Sequence, residues 1–252
     1  MSKLQGKVAV VTGGNSGIGF ASAQAFLAEG ADKVIITGRD QRAIDEAVEL
    51  LGSRAAGIVA NVADMAAIRQ MGETLGTLTD HVDVLFVNAG VATFAPLEHM
   101  TEATFDHNMD VNFKGAFFSI QAVLPLMREG GSIVLNTSVN AHMGMAGASA
   151  YGASKAALVS LARNLSAELL PRKIRVNAVS PGPVGTPLFT TAKLGVDEEQ
   201  LTQMGQHIAG LVPLGRFGHV DEIARTIVFF ASDDSSFILG SELIVDGGMV
   251  TL

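Results

Sequence analysis

Tyr151 is the only tyrosine among 252 residues, and Lys155 follows it in Tyr151-Gly152-Ala153-Ser154-Lys155. On a helix, side chains at i and i+4 share a face, so this spacing sets an ammonium beside a phenol. A phenol titrates near pH ~10 and is a weak acid–base catalyst at neutral pH; a neighbouring cation favours phenolate and draws that value down. Ser138 lies just past a β-branched run, Ser132–Thr137, at the kind of strand end where open α/β sheets place their sites. Tyr-x-x-x-Lys alone arises by chance in many helices, so its weight depends on what surrounds it.

A second cluster lies near the N-terminus, in Thr12-Gly13-Gly14-Asn15-Ser16-Gly17-Ile18-Gly19. Glycines let a backbone approach a pyrophosphate closely, and a helix beginning there offers free N–H groups and a positive dipole end. The spacing departs from G-x-G-x-x-G, and no Lys-Ser/Thr closes the turn, which disfavours a nucleoside triphosphatase. At the end of the next β-branched run, a dinucleotide lacking the 2′-phosphate calls for an acidic residue. Gly38 stands there, followed by Arg39, whose guanidinium suits a 2′-phosphate. This pair points to NADP(H), although Asp40 beside it blurs the signal.

These residues need a frame that brings strand ends together. Lys7–Thr12, Lys33–Thr37, Ala55–Ala60, Val82–Val87, Ser132–Thr137, Ile174–Val179 and Glu242–Val245 read as seven strands. Between them run helical stretches at Gly17–Ala28, Gln41–Leu51, about Asp64–Leu75, Thr101–Met127, about Ala150–Leu170 and Val220–Ala231. Such alternation specifies an α/β, doubly wound Rossmann fold: a seven-stranded parallel sheet with helices on both faces. The pattern predicts one domain over residues 1–252. Its one long irregular stretch, Pro181 to Pro213, reads as a substrate flap at about 183–213.

Composition narrows the function classes. Lys and Arg number 17 against 25 Asp and Glu, a net charge of −8, and no basic run argues for nucleic acid or an anionic membrane. There are no cysteines, hence no disulfide framework, thiolate zinc site or cysteine nucleophile. The six histidines are scattered without metal-ligand spacing. No apolar run reaches the length of a membrane span, and no signal sequence opens the chain, so a cytoplasmic location is expected.

Together the chemistry-bearing residues resemble the short-chain dehydrogenase/reductase family in its single-domain branch. The matching parts are the Thr12–Gly19 turn, Asn88-Ala89-Gly90, Asn112, Ser138, Tyr151-x-x-x-Lys155, Pro181-Gly182 and Asp246-Gly247-Gly248, in the family's order along nearly the whole chain. The resemblance implies that Tyr151 is the general acid/base, that Ser138 orients and polarises the substrate carbonyl, and that Lys155 binds the nicotinamide ribose and lowers the Tyr151 pKa. It implies that Asn112 holds a water in the proton relay. For the cofactor it implies contacts from Gly13, Asn15, Ser16, Gly17, Ile18, Gly19, Arg39, Asn61, Val62, Asn88, Ala89, Gly90, Tyr151, Lys155, Pro181, Gly182, Val184 and Thr186. Two departures stand out: Val87 replaces the first asparagine of the family's Asn-Asn-Ala-Gly, and Asn61 replaces the acidic residue that usually meets the adenine amino group.

The resulting expectation is NADPH-dependent reduction of a small ketone or aldehyde, reversible as secondary-alcohol oxidation. A 3-oxoacyl group on acyl carrier protein is the alternative substrate, and a non-catalytic NADPH-sensing regulator the alternative of another class. His142 stands between Ser138 and Tyr151 and reads equally as a pocket or a loop residue. Met143, Met145, Phe189, Leu194, Met204 and Ile208 suggest an apolar pocket under the flap. The resemblance also implies a homotetramer, and the small residues Ala153, Ala156, Ala157, Ser160 and Ala162, with the aromatic surface of Phe113–Met127, suit close helix packing between subunits.

Overall fold

A computed structural model describes residues 2–187 and 197–252. Seven strands form one parallel sheet in the order β3-β2-β1-β4-β5-β6-β7. They are β1 (Val8–Thr12), β2 (Lys33–Gly38), β3 (Ala55–Val59), β4 (Val82–Val87), β5 (Met127–Asn136), β6 (Arg175–Pro181) and β7 (Glu242–Val245). The apolar run of β1 is buried throughout because both of its faces are covered. Val8 and Val10 enter one core with helices α3 (Met65–Leu78), α5 (Gly115–Val123) and α6 (Ser149–Glu168). Ala9 and Val11 enter the other with α1 (Gly17–Ala28), α2 (Gln41–Leu51) and the Val220–Ala231 helix. Period-two alternation along one strand therefore feeds two helical layers.

Helix boundaries follow local chemistry. The Asp40 carboxylate accepts from Ala43 N at 2.8 Å and starts α2, which Gly52 ends in a left-handed turn at φ +86°. Asp64 starts α3 in the same manner, accepting from Ala66 N at 2.7 Å. Thr101 starts α4 (Glu102–Met109) by accepting from Thr104 N at 3.1 Å.

Besides small shifts at several element ends and a β5 that begins at Met127 rather than Ser132, three elements differ from the sequence reading. The helix expected over Thr101–Met127 is α4, a π-helical turn at Asp110–Lys114 and α5, closed by a 3-10 turn at Leu124–Leu126. Pro125 lacks the N–H needed to continue the helix, and Met127 already pairs with Val82 as the first residue of β5. The second is β6, which reaches Pro181 rather than stopping at Val179 because it pairs with β7 as far as Val245. The third lies in the stretch expected to be irregular, which contains helix α7 (Glu198–Leu211). Asp197 accepts from Gln200 N while the Gln200 side chain accepts from Asp197 N, a capping box. The Val220–Ala231 helix is α8. Phe189 and Leu194 lie outside the described residues, so the flap is described only at its two ends.

Candidate active site

The strand order reverses direction between β1 and β4, opening a crevice at their carboxyl ends. The turn after β1 and the Asn88–Gly90 segment after β4 meet there. A Cβ on Gly13, whose φ is +63°, would lie 3.0 Å from Ala89 Cα; one on Gly19 would lie 2.2 Å from Gly13 O and 2.5 Å from Asn88 Nδ2. No other residue type fits either position without displacing backbone. Asn88 locks the junction: its Nδ2 donates to Thr12 O (3.1 Å) and Gly13 O (3.0 Å), while Asn88 N and Ala89 N both donate to Thr12 Oγ1. The turn then leads into α1 at Gly17, so its first-turn N–H groups face the crevice mouth. This backbone concavity at a helix N-terminus fits a pyrophosphate.

Asn15 and Gly38 interlock at the end of β2, where a Cβ on Gly38 would lie 2.7 Å from Asn15 Oδ1. The place an acidic side chain would grow from is therefore filled by an amide. Arg39 is exposed and makes no side-chain hydrogen bond or ion pair among the described residues. Asp40 Oδ1 caps α2, accepting from Ala43 N at 2.8 Å.

Ser138, Tyr151 and Lys155 converge at the end of β5. Ser138 opens a 3-10 turn, Val139–Ala141, and its Oγ accepts from Asn140 N at 3.2 Å. Lys155 is buried on α6; its Nζ donates to Asn136 O at 2.9 Å and sits 5.9 Å from the centre of the Tyr151 ring. Burial pulls the ammonium down to about 8. Burial likewise raises the Tyr151 phenol above its ordinary value, and a hydrogen bond with Ser138 pulls the other way. The direction is thus opposite to the lowering expected from a nearby lysine: with the ammonium directed to Asn136 O, desolvation of the phenolate prevails. A phenol held this way stays protonated at neutral pH, the state in which it can donate a proton.

An enoyl-(acyl carrier protein) reductase family profile matches residues 13–250. The 3-oxoacyl-(acyl-carrier-protein) reductase FabG of Thermotoga maritima is 37% identical over 253 residues, covering 98% of this chain and 99% of that protein. Among solved structures, a blue fluorescent protein from a metagenomic library in complex with NADPH superposes with a TM-score of 0.89 at 34% identity, covering 99% of this chain and 100% of the other. A short-chain dehydrogenase/reductase from Serratia marcescens superposes with a TM-score of 0.89 at 33% identity, again over 99% and 100% of the two chains. The chain belongs to the short-chain dehydrogenase/reductase family.

In this short-chain dehydrogenase/reductase the remaining expected residues fall around the same crevice, in different states of engagement. Asn112 sits in the π-helical turn, a feature common at functional sites. Its Oδ1 accepts from Val91 N at 2.8 Å and its Nδ2 donates to Val91 O at 2.9 Å and Ser154 Oγ at 3.0 Å. The side chain is thus engaged by Val91 and Ser154 rather than pointing into the crevice as a free group. Asn61 accepts from Ala63 N at 3.1 Å, and Val62 is buried beneath it. Pro181 ends β6, Gly182 packs where a Cβ would lie 2.7 Å from Asp246 Cα, and Val184 bridges to Gly218. Thr186 lies against Gly17, 3.5 Å from where a Cβ would project, so the start of the flap touches the phosphate turn. Ser16 and Ile18 flank Gly17 at the start of α1.

Several residues of the site carry no motif and escaped the sequence reading. The Phe94 ring meets Tyr151 edge-on, with centroids 5.6 Å apart at 75°, and remains 43% exposed. Ala95 N donates to Gly147 O at 2.9 Å, joining the Phe94 loop to the segment that carries Met145, itself 44% exposed. Asn136 links the halves of the crevice: its carbonyl holds Lys155 and its Nδ2 donates to Asn88 Oδ1 at 2.8 Å. His142 does not stand free beside Tyr151; its Nε2 pairs with Glu242 Oε1 at 2.5 Å. Met204 and Ile208 lie one turn apart on α7, none of whose residues is buried.

Proposed function

We propose that this chain is a single catalytic domain that reduces a ketone or aldehyde to an alcohol with NADPH, reversibly. The observation that carries this reading is the convergence of Ser138, Tyr151 and Lys155 beside the glycine turn and Asn88–Gly90. Tyr151 donates its proton to the carbonyl oxygen as that oxygen gains charge. Ser138 hydrogen-bonds the same oxygen, a preorganised donor aimed at the developing alkoxide. Lys155, held by Asn136 O, is placed to bind the nicotinamide ribose. NADP(H), held by Gly13–Gly19, Arg39, Asn61, Val62, Asn88–Gly90, Tyr151, Lys155 and Pro181–Thr186, supplies the hydride when bound. The glycines fit that group because a Cβ at 13 or 19 would run into Ala89, Asn88 or Gly13 O and force open the tight turn whose backbone N–H groups would meet the pyrophosphate.

Arg39, exposed beside Gly38 and unpaired among the described residues, supports NADPH over NADH. One charge-assisted contact of about 1.5–3 kcal/mol corresponds to roughly a 10- to 100-fold preference. Phe94 and Met145 give the crevice an apolar wall, which suits a small apolar carbonyl compound. The raised Tyr151 phenol favours the reductive direction at neutral pH, and alcohol oxidation should gain as pH rises.

The test is NADPH consumption with a panel of ketones and aldehydes beside a carrier-bound 3-oxoacyl thioester. Turnover on free carbonyls is expected. The relation to the Thermotoga maritima carrier-protein reductase makes turnover on the thioester alone the second reading. No turnover on any carbonyl would overturn both and leave a cofactor sensor. The assembly we propose is a tetramer in the cytoplasm. Ala153, Ala156 and Ser160 form an exposed strip of small residues on α6, and Phe117, Leu243 and Leu252 are exposed. Sedimentation of a stable 26.2 kDa species would refute it.

A further inference from the structure

Glu242 opens β7, the last strand of the sheet, paired only with β6. An edge-strand carboxylate usually faces water, yet this side chain is only 12% exposed. Its Oε1 receives two partners. One is His142 Nε2, at 2.5 Å and 100 residues away in sequence; the other is the Ser180 hydroxyl, which donates from β6. Ser180 in turn is hydrogen-bonded to Thr137 Oγ1, and Thr137 N donates to Val179 O at 2.8 Å. Thr137 and His142 flank Ser138 on either side. One largely covered carboxylate therefore grips the serine-bearing turn at both ends, directly through His142 and indirectly through Ser180 and Thr137.

A desolvated charge is costly, and an apolar residue would pack at this position at less cost. The arrangement gains something an apolar residue cannot supply: a fixed direction for the turn that carries Ser138. We propose that Glu242 is a positioning residue for the Ser138–Tyr151 pair, acting through His142 and through Ser180 and Thr137. It touches neither substrate nor cofactor. The proposal rests on the carbonyl-reduction reading for its catalytic consequence, but its structural half can be read without turnover.

That is possible because Tyr151 is the chain's only tyrosine and there is no tryptophan. Phenolate absorbance followed against pH thus reports one group. The Ser138 hydrogen bond lowers the Tyr151 pKa, so displacing Ser138 must raise the midpoint. Ser138→Ala sets the size of that rise. Glu242→Ala and His142→Ala are expected to raise the midpoint in the same direction. They should also lower kcat for reduction about tenfold, the effect of one misplaced hydrogen bond, while KM for NADPH stays unchanged. Glu242→Gln keeps an oxygen acceptor for both partners and should restore most of the loss. If Glu242→Ala does not fold, His142→Ala decides. A Tyr151 midpoint equal to wild type in a folded Glu242→Ala or His142→Ala variant overturns the proposal. A wild type without carbonyl turnover sinks the carbonyl-reduction reading instead, and the phenol titration still decides the brace.

Discussion

On the phosphate side of the crevice, Gly13, Gly14 and Gly19 make room by having no side chain, and the groups offered are backbone N–H. On the carbonyl side, Ser138, Tyr151, Lys155 and Glu242 carry polar groups into space that burial would otherwise keep apolar. The first region is shaped by steric exclusion in a glycine turn that Asn88 locks from the end of β4. The second is held by hydrogen bonds between residues far apart in sequence, and it carries an electrostatic cost that the first does not. Recognition of a constant ligand part and chemistry on a variable one are thus met by different physical means within one crevice. Asn88 and Asn136, joined at 2.8 Å, are where the two meet.

The comparison breaks first if a side chain is tolerated on the phosphate side. Gly19→Ala puts a Cβ 2.2 Å from Gly13 O. It should cost about 1–3 kcal/mol in stability by overpacking and weaken NADPH more than tenfold. Thermal unfolding and a cofactor titration check both.

On the carbonyl side the expected sign of the stability change is reversed. Lys155 falls from 10.5 to about 8 on folding, so its buried charge destabilises the fold fully below pH 8, and the cost fades as pH climbs toward 10.5. Lys155→Met should therefore melt higher than wild type at pH 7 while losing most of its turnover. The difference in Tm should shrink between pH 8 and pH 10. A Lys155→Met protein that melts lower at pH 7 would show that the bond to Asn136 O outweighs the charge.

Arg39 and Asp40 sharpen the cofactor end, where the effects on stability are smaller. Arg39→Ala should weaken NADPH about 10- to 100-fold and leave NADH nearly unchanged. Asp40→Ala should cost about 1 kcal/mol through the lost cap of α2 and leave the cofactor preference as it was. A changed preference in Asp40→Ala would mean that this carboxylate reads the ribose after all.

The same contrast explains what the sequence disclosed. Helices α1 and α2 and strands β4 and β7 match their expected bounds residue for residue, because each is fenced by glycine or a capping side chain or is a closed β-branched run. The glycine turn was equally legible, since its function resides in consecutive residues. Helix α7 was not read, although Leu201, Met204, Ile208 and Leu211 recur at helical spacing behind the Asp197–Gln200 capping box; none of its residues is buried. The π-helical turn at Asn112 leaves no compositional mark. The raised Tyr151 phenol was misjudged because spacing places Lys155 on the same face but cannot say that its ammonium turns to Asn136 O. The His142–Glu242 pair spans 100 residues, and only the folded sheet brings it together.

The proton donor is the centre of the account, and Tyr151→Phe isolates it. The substitution removes one oxygen and keeps the ring that packs against Phe94. NADPH affinity and kcat for carbonyl reduction should be measured on the same folded preparation, beside wild type. Cofactor binding should weaken by no more than about tenfold, the size of one lost hydrogen bond, while kcat falls by about 10²- to 10⁴-fold, the usual size of a general-acid contribution. Turnover close to wild type in Tyr151→Phe would contradict the account.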